Sequence, residues 1–201
     1  MENTTMENTR TKTTRNSLIL LLTAAIWGMA FVSQSKGMDY MHPFTFNGVR
    51  SLIGAASILV YILISRKIAG DKAAPLDWKL NVKAGLLCGI FLTIASTLQQ
   101  FGIKYTSVGK AGFITTLYII FVPMFGIFLK KKVAPVVWAA AVMAAVGMYL
   151  LCMTESLRLG AGDIMVFLCA IAFAIQIMTV DHYAARIDGA VVSCIQFTVC
   201  G

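Results

Sequence analysis

The sequence predicts an all-α membrane protein, a multi-span helical bundle, and three observations carry the prediction. Hydrophobic residues make up 58% of the 201 and charged residues only 13%, against roughly a quarter charged in soluble domains. The mean hydropathy is +0.79. Seven apolar runs follow one another between short polar segments: Ser17 to Gln34, Phe44 to Ile64, Ala84 to Phe101, Ala111 to Leu129, Ala134 to Cys152, Gly162 to Val180, and Ala190 to Gly201. Most meet the roughly 17 to 25 residues that a tilted helix needs to cross the hydrocarbon core. The last is too short to span.

A net charge of +8 raises the question of a nucleic-acid partner, but the positions of the charges read as orientation instead. Arg10, Lys12 and Arg15 precede the first run; Arg66, Lys67, Lys72, Lys79 and Lys83 lie between the second and third; Lys130 to Lys132 follow the fourth; Arg186 follows the sixth. The alternate loops hold Lys36, Lys104, Lys110 and Arg158. The positive-inside rule then gives a multi-pass protein of the cell membrane with a cytoplasmic N-terminus. No soluble domain gathers these cations into a patch, so nucleic acid is excluded as a partner. Cys88, Cys152, Cys169, Cys194 and Cys200 all lie in or beside apolar runs without CxxC spacing or a neighbouring His. They read as small packing residues, and no metal or cofactor is implied.

Residues 1–16, with the repeat MENTT then MENTR, lack apolar periodicity and are expected to form a disordered cytoplasmic tail. In the first run Trp27, Phe31 and Gln34 fall at i, i+4 and i+7, on one helical face. Trp27 sits near mid-run rather than at an edge, which favours lining the bundle over anchoring at the interface. Pro43 suits the first turn of the second helix. Arg50, seven residues on, lies roughly 10 Å along that helix, with Asn47 one turn before it on the same face. A cation at that depth is costly and marks a functional-site candidate, whether it binds solute, holds helices together or snorkels outward.

The third run closes with Gln99 and Gln100. These point in different directions on a helix, so at least one faces other helices, for packing or for solute. A turn centred on Thr106 and Ser107 makes the third and fourth runs a tight antiparallel hairpin. The fourth contains Thr115, Thr116, Tyr118 and an interior Pro123 that is expected to kink it. Pro135 opens the fifth, whose alanines and Gly147 read as a close-packing face.

The sixth run aligns with the first: LTAAIWGMA at Leu22 to Ala30 lies over LCAIAFAIQ at Leu168 to Gln176. Continued, the alignment puts Ser193 over Asn47 and Gln196 over Arg50. Five runs separate the copies, so the second must traverse the membrane in the opposite sense, the pattern of inverted-repeat secondary transporters.

The Trp27-Gly28 pair, the short loop after it, HPFTFNGVR at His42 to Arg50, and YTSVGKAGFITTLYIIFVPMFGIFL at Tyr105 to Leu129 together resemble the EamA-type members of the drug/metabolite transporter superfamily. That resemblance implies two inverted five-helix repeats, with both termini cytoplasmic, moving small metabolites by alternating access, often as exporters. It divides this chain into a first five-helix repeat at 17–153 and the start of a second, incomplete one at 161–201. The chain is therefore expected to be part of a longer protein, or a short form that self-associates or pairs with a complementary half. One departure stands out: where family members commonly carry a Glu at the cytoplasmic end of the fourth helix, this sequence reads Leu129, Lys130, Lys131, Lys132.

A carrier of this kind would line its cavity with Trp27, Phe31, Gln34, Asn47, Arg50, Gln99, Thr115 and Tyr118, aromatic walls with a few orienting polar groups. Asp39, Glu155, Asp163 and Asp181 sit in loops or at helix ends, so no intramembrane carboxylate is offered for proton coupling. An intramembrane enzyme is excluded. His42 and His182 fall at opposite ends of the bundle, and neither HExxH nor GxSxG occurs. The competing reading is an inactive fragment or a non-catalytic membrane partner; the expected contacts are a small-molecule solute and the lipid bilayer.

Overall fold

A computed structural model describes residues 2–70, 76–128, 134–152 and 160–201. Every element of regular structure among them is helical: α1 (Glu2–Gly37), α2 (Pro43–Ala69), α3 (Trp78–Tyr105), α4 (Val108–Thr116), α5 (Tyr118–Phe128), α6 (Pro135–Cys152), α7 (Ala161–Tyr183), a 3-10 turn at Ala184–Arg186, and α8 (Gly189–Cys200). Five stretches are long and apolar enough to cross a bilayer: Asn16–Gly37, Pro43–Ala69, Trp78–Tyr105, Val108–Phe128 and Ala161–Arg186. The protein is an all-α, multi-span membrane protein, as its composition predicts.

Local chemistry explains the helix limits. Pro43 begins α2, where its missing N–H would have had no intrahelical partner. Gly70, at φ +51°, ends it in the left-handed region that favours glycine. Side chains cap α3, where Asp77 accepts from the Leu80 amide at 3.1 Å, and α8, where Asp188 accepts from Ala190 and Val191 at 3.0 and 3.3 Å. At the start of α7, Asp163 reaches back to the Gly160 amide at 2.9 Å.

Two expectations change. The tail at residues 1–16, expected to be disordered, is helical from Glu2; it contains neither Gly nor Pro, and extending a helix that already exists is far easier than nucleating one. The fourth run breaks at Leu117, between α4 and α5, rather than at Pro123, which stays inside α5. Just before the break the Thr116 hydroxyl donates to the Gly112 carbonyl at 2.7 Å, a back-bond that bends helices. The Lys130 to Lys132 stop, Leu129, and the loop residues Lys72, Glu155 and Arg158 lie outside the described residues.

Helix α3 is central. It packs mainly on α7 and α8; α2 lies along α8, and α4 and α5 lie against α7. Glycines permit this closeness. A Cβ at Gly85 would stand 2.7 Å from Ile195 Cβ, and one at Gly89 2.8 Å from Val199 Cβ. Near the other end of α3, a Cβ at Gly162 would meet the Gly102 carbonyl at 2.8 Å. Lipid tails are as apolar as leucine, so van der Waals fit of this kind is what holds such helices together.

The contacts also fix direction. Phe44, at the start of α2, meets Phe101 near the end of α3 at 5.1 Å between ring centroids. The backbone amide of Asp188, at the start of α8, donates to Asn81 Oδ1 near the start of α3 at 2.9 Å. Thus α2 runs antiparallel to α3 and α8 parallel to it. Gly37 to His42 and Thr106 share one end of the bundle, hereafter the Thr106 end; Arg66, Asn81 and Asp188 share the other. Filling the α3–α7 contact should destabilise the bundle: Gly102→Val is expected to lower the melting temperature of the detergent-solubilised chain by roughly 3 to 10 °C, for an overpacking cost of about 1–3 kcal/mol. An unchanged melting temperature would show that the two helices are not in close contact.

Candidate functional site

Polar side chains are placed on α1, α2 and α4 by the helical period, and on both flanks of α3. Among the described residues, Gln34, Asn47, Ser51, Ser96, Gln99, Gln100 and Thr115 are all buried at 4% exposure or less. They are not gathered in one cavity. They form two seams, separated by α3.

The first seam joins α2, α3 and α8. The Asn47 amide donates to Ser96 Oγ at 2.9 Å and to Cys200 Sγ at 3.8 Å, while Ser96 donates onward to the Leu92 carbonyl at 2.7 Å. With its nitrogen so engaged, Asn47 turns its Oδ1 to the Arg50 guanidinium, 3.0 Å away. The Arg50 Cζ also lies 5.9 Å from the Phe46 ring centroid, within cation–π range. Arg50 is exposed on the chain's own surface. It borders an open groove of about 290 Å³ lined also by Met41, Phe46, Val49 and Ile53. A guanidinium anchored on one side by an amide and an aromatic face, with its other side open, is arranged to receive a carboxylate or phosphate.

The second seam joins α1, α3 and α4. Gln99 donates to Thr115 Oγ1 at 3.3 Å, and Gln100 donates to the Gln34 backbone carbonyl at 3.3 Å. Among the described residues, the side-chain oxygens of Gln34 and Gln100 are sealed from solvent with no partner. Each such orphan costs about 1–3 kcal/mol. Both glutamines of α3 therefore face other helices.

Residues of one predicted face of α1 separate with depth. Trp27 is 53% exposed and lines nothing within this chain, Phe31 is half-buried against Ile103, Ala111, Ile114 and Val166, and Gln34 is 2% exposed. The main contacts of α1 are with α3 and α4, and burial rises toward its Gly37 end, so the helix slopes away from the bundle and carries Trp27 with it. Tyr118, at the start of α5, meets Phe173 edge-on with centroids 6.5 Å apart.

Sequence reasoning left Ser96 and Gln176 out of the site. Ser96 stands three residues before Gln99 in an apolar run, a signal available in the spacing. Gln176 donates to Gln196 Oε1 at 3.1 Å; nothing in the sequence pairs them. Gln196, aligned over Arg50, thus bonds within 161–201 rather than to Arg50.

Comparison with known proteins bears on what these seams serve. A curated protein of Archaeoglobus fulgidus, described as an uncharacterized transporter, is 31% identical over 171 residues, 82% of this chain and 48% of that protein. The chain therefore spans about half the length of that relative. No solved structure matches it. The model of the EamA-like transporter family matches residues 15–153, the stretch that holds most of α1, all of α2 to α6, the second seam and the α2–α3 part of the first, and the chain belongs to that family.

Proposed function

We propose that the chain, a member of a transporter family, serves membrane transport rather than catalysis. We propose that it works as a secondary transporter that exports small organic metabolites across the cell membrane by alternating access, with the first five-helix repeat at 17–153 and the start of an inverted second repeat at 161–201. The supporting observation is the pair of buried polar seams along α3, one of which presents Arg50 to an open groove. Polar groups at this depth are expensive in hydrocarbon and are kept where they serve a pathway. Arg50 is the residue that orients an anionic group on the solute, Phe46 and the apolar groove wall take its organic body, and Asn47 holds the guanidinium in place. Opposite directions of α2 and α8 along α3 agree with inverted repeats.

Half-length coverage of the relative favours a second reading, in which the chain is an inactive fragment or a non-catalytic partner that needs a complementary half. Flux into liposomes separates them. The purified 201-residue chain is expected to move at least one of a panel of amino acids and organic acids above the empty-liposome baseline, and no flux across the panel supports the second reading. Within an active protein, Arg50→Ala is expected to lower uptake of a carboxylate solute at least about tenfold, the scale of one lost charge-assisted contact. Arg50→Lys should lose less, and equal rates for wild type and Arg50→Ala would remove Arg50 from the site.

The N-terminus is cytoplasmic in this reading, which places the Thr106 end outside. A cysteine at Asp39 is expected to react with an impermeant thiol reagent added to intact cells, and one at Arg186 only after permeabilisation. The reverse pattern would invert the assignment.

A further inference from the structure

Two polar clusters at opposite ends of the bundle tie the stretch before residue 153 to the stretch after residue 160. At the Thr106 end, Thr106 donates to Asp163 Oδ1, and Lys110 Nζ lies 3.7 Å from Asp163 Oδ2. At the other end, Arg66 lies 3.7 Å from Asp188 Oδ2, and Asn81 accepts from the Asp188 amide at 2.9 Å. Each pairs a cation of the first stretch with a carboxylate at a helix start of the second. In each, backbone amides hold the carboxylate on its own helix: Gly160 for Asp163, and Ala190 and Val191 for Asp188. A carboxylate secured in that way stays in place when its cation departs, so the pair can separate without unwinding the helix.

We infer that these clusters are two latches which release alternately, each opening its own end of the bundle; this rests on the alternating-access reading above. Helix α3 and its cap join them, with Asn81 near one end and Thr106 at the other. It is one unbroken helix of 28 residues, so tilting it against α7 and α8 loosens one latch while seating the other. With both latches made, the side-chain oxygens of Gln34 and Gln100 are shut in without partners among the described residues, and Gln100 lies five residues before Tyr105, at the Thr106 end. Release at that end lets water or solute reach them, which offsets the loss of the latch. The latches are unequal. Side-chain exposure is 18% for Lys110 and 4% for Asp163, against 38% for Arg66 and 40% for Asp188. The Arg66 pair, more screened by water, is the weaker and the first to release, so the resting protein is closed at the Thr106 end.

The test reads access directly and needs no solute. In a background with Cys88, Cys152, Cys169, Cys194 and Cys200 replaced by Ala, Thr115→Cys places one thiol in the buried seam, and an impermeant maleimide is added from the Thr106 side. Lys110→Met is expected to raise the labelling rate about tenfold by shifting the population open at that end. Lys110→Arg should return it to the parent rate, which a merely misfolded variant would not do. Arg66→Met is expected to lower labelling about threefold, by favouring opening at the far end. Shifts of the same sign in both Met variants, or none, would overturn the latches. If solute flux persists alongside that result, transport stands without them; opposite-signed shifts in a chain that moves no solute would support the latches and count against transport.

Discussion

Close approach of α3 to α7 and α8 is the constraint on which the other features rest. In a bilayer there is no gain in moving an apolar side chain from lipid to protein, so helices associate where their surfaces fit. Gly85 and Gly89 let Ile195 and Val199 come onto the α3 backbone, and Gly102 with Gly162 does the same at the Thr106 end. Larger residues at these positions would hold the helices apart. The hydrogen bonds between Asn47, Ser96 and Cys200, and from Thr106 to Asp163, then have partners within reach.

That fit also sets the electrostatic character of the interior. Among the described residues, apart from Asp163 at the rim of α7, the buried polar groups are neutral amides and hydroxyls, which tolerate low dielectric better than ions do. Charge enters at Arg50, and it does so on the open side of the bundle, with an amide oxygen as its near neighbour. Among the described residues that anchor is neutral, in contrast to the carboxylates that face Lys110 and Arg66 at the two ends.

The architecture was largely legible in the residues because span length and apolar composition are local properties. Predicted runs and observed helices agree to within a few residues at Pro43, Pro135 and Gly189, where proline or a capping aspartate marks the start. The placing of Arg50 with Asn47, and of at least one of Gln99 and Gln100 against other helices, was also readable, since helical spacing and the expense of polarity in lipid are both local. What failed to show depends on relations between segments. Trp27 and Gln34 share a face, yet the slope of α1 puts one outside and the other inside. Gln99 and Gln100, adjacent in sequence, bond to different helices and belong to different pairs. The break at Leu117 rather than Pro123 has no counterpart in the spacing, since the same hydroxyl back-bond that precedes it at Thr116 also occurs at Thr93 and Ser96 within the unbroken α3.

The order in which α3 acquires its neighbours has a consequence for biosynthesis. Its packing partners α7 and α8 begin at Ala161 and Gly189, and α3 ends at Tyr105. At about 5–20 residues per second, roughly 3 to 11 seconds pass between the end of α3 and the emergence of α7 from the ribosome. For that interval Ser96 and the glycine-lined flanks of α3 have neither α7 nor α8 beside them. The nascent helix is therefore a client for whatever shields polar surfaces at the site of membrane insertion, and slowing translation between α3 and α7 lengthens its exposure.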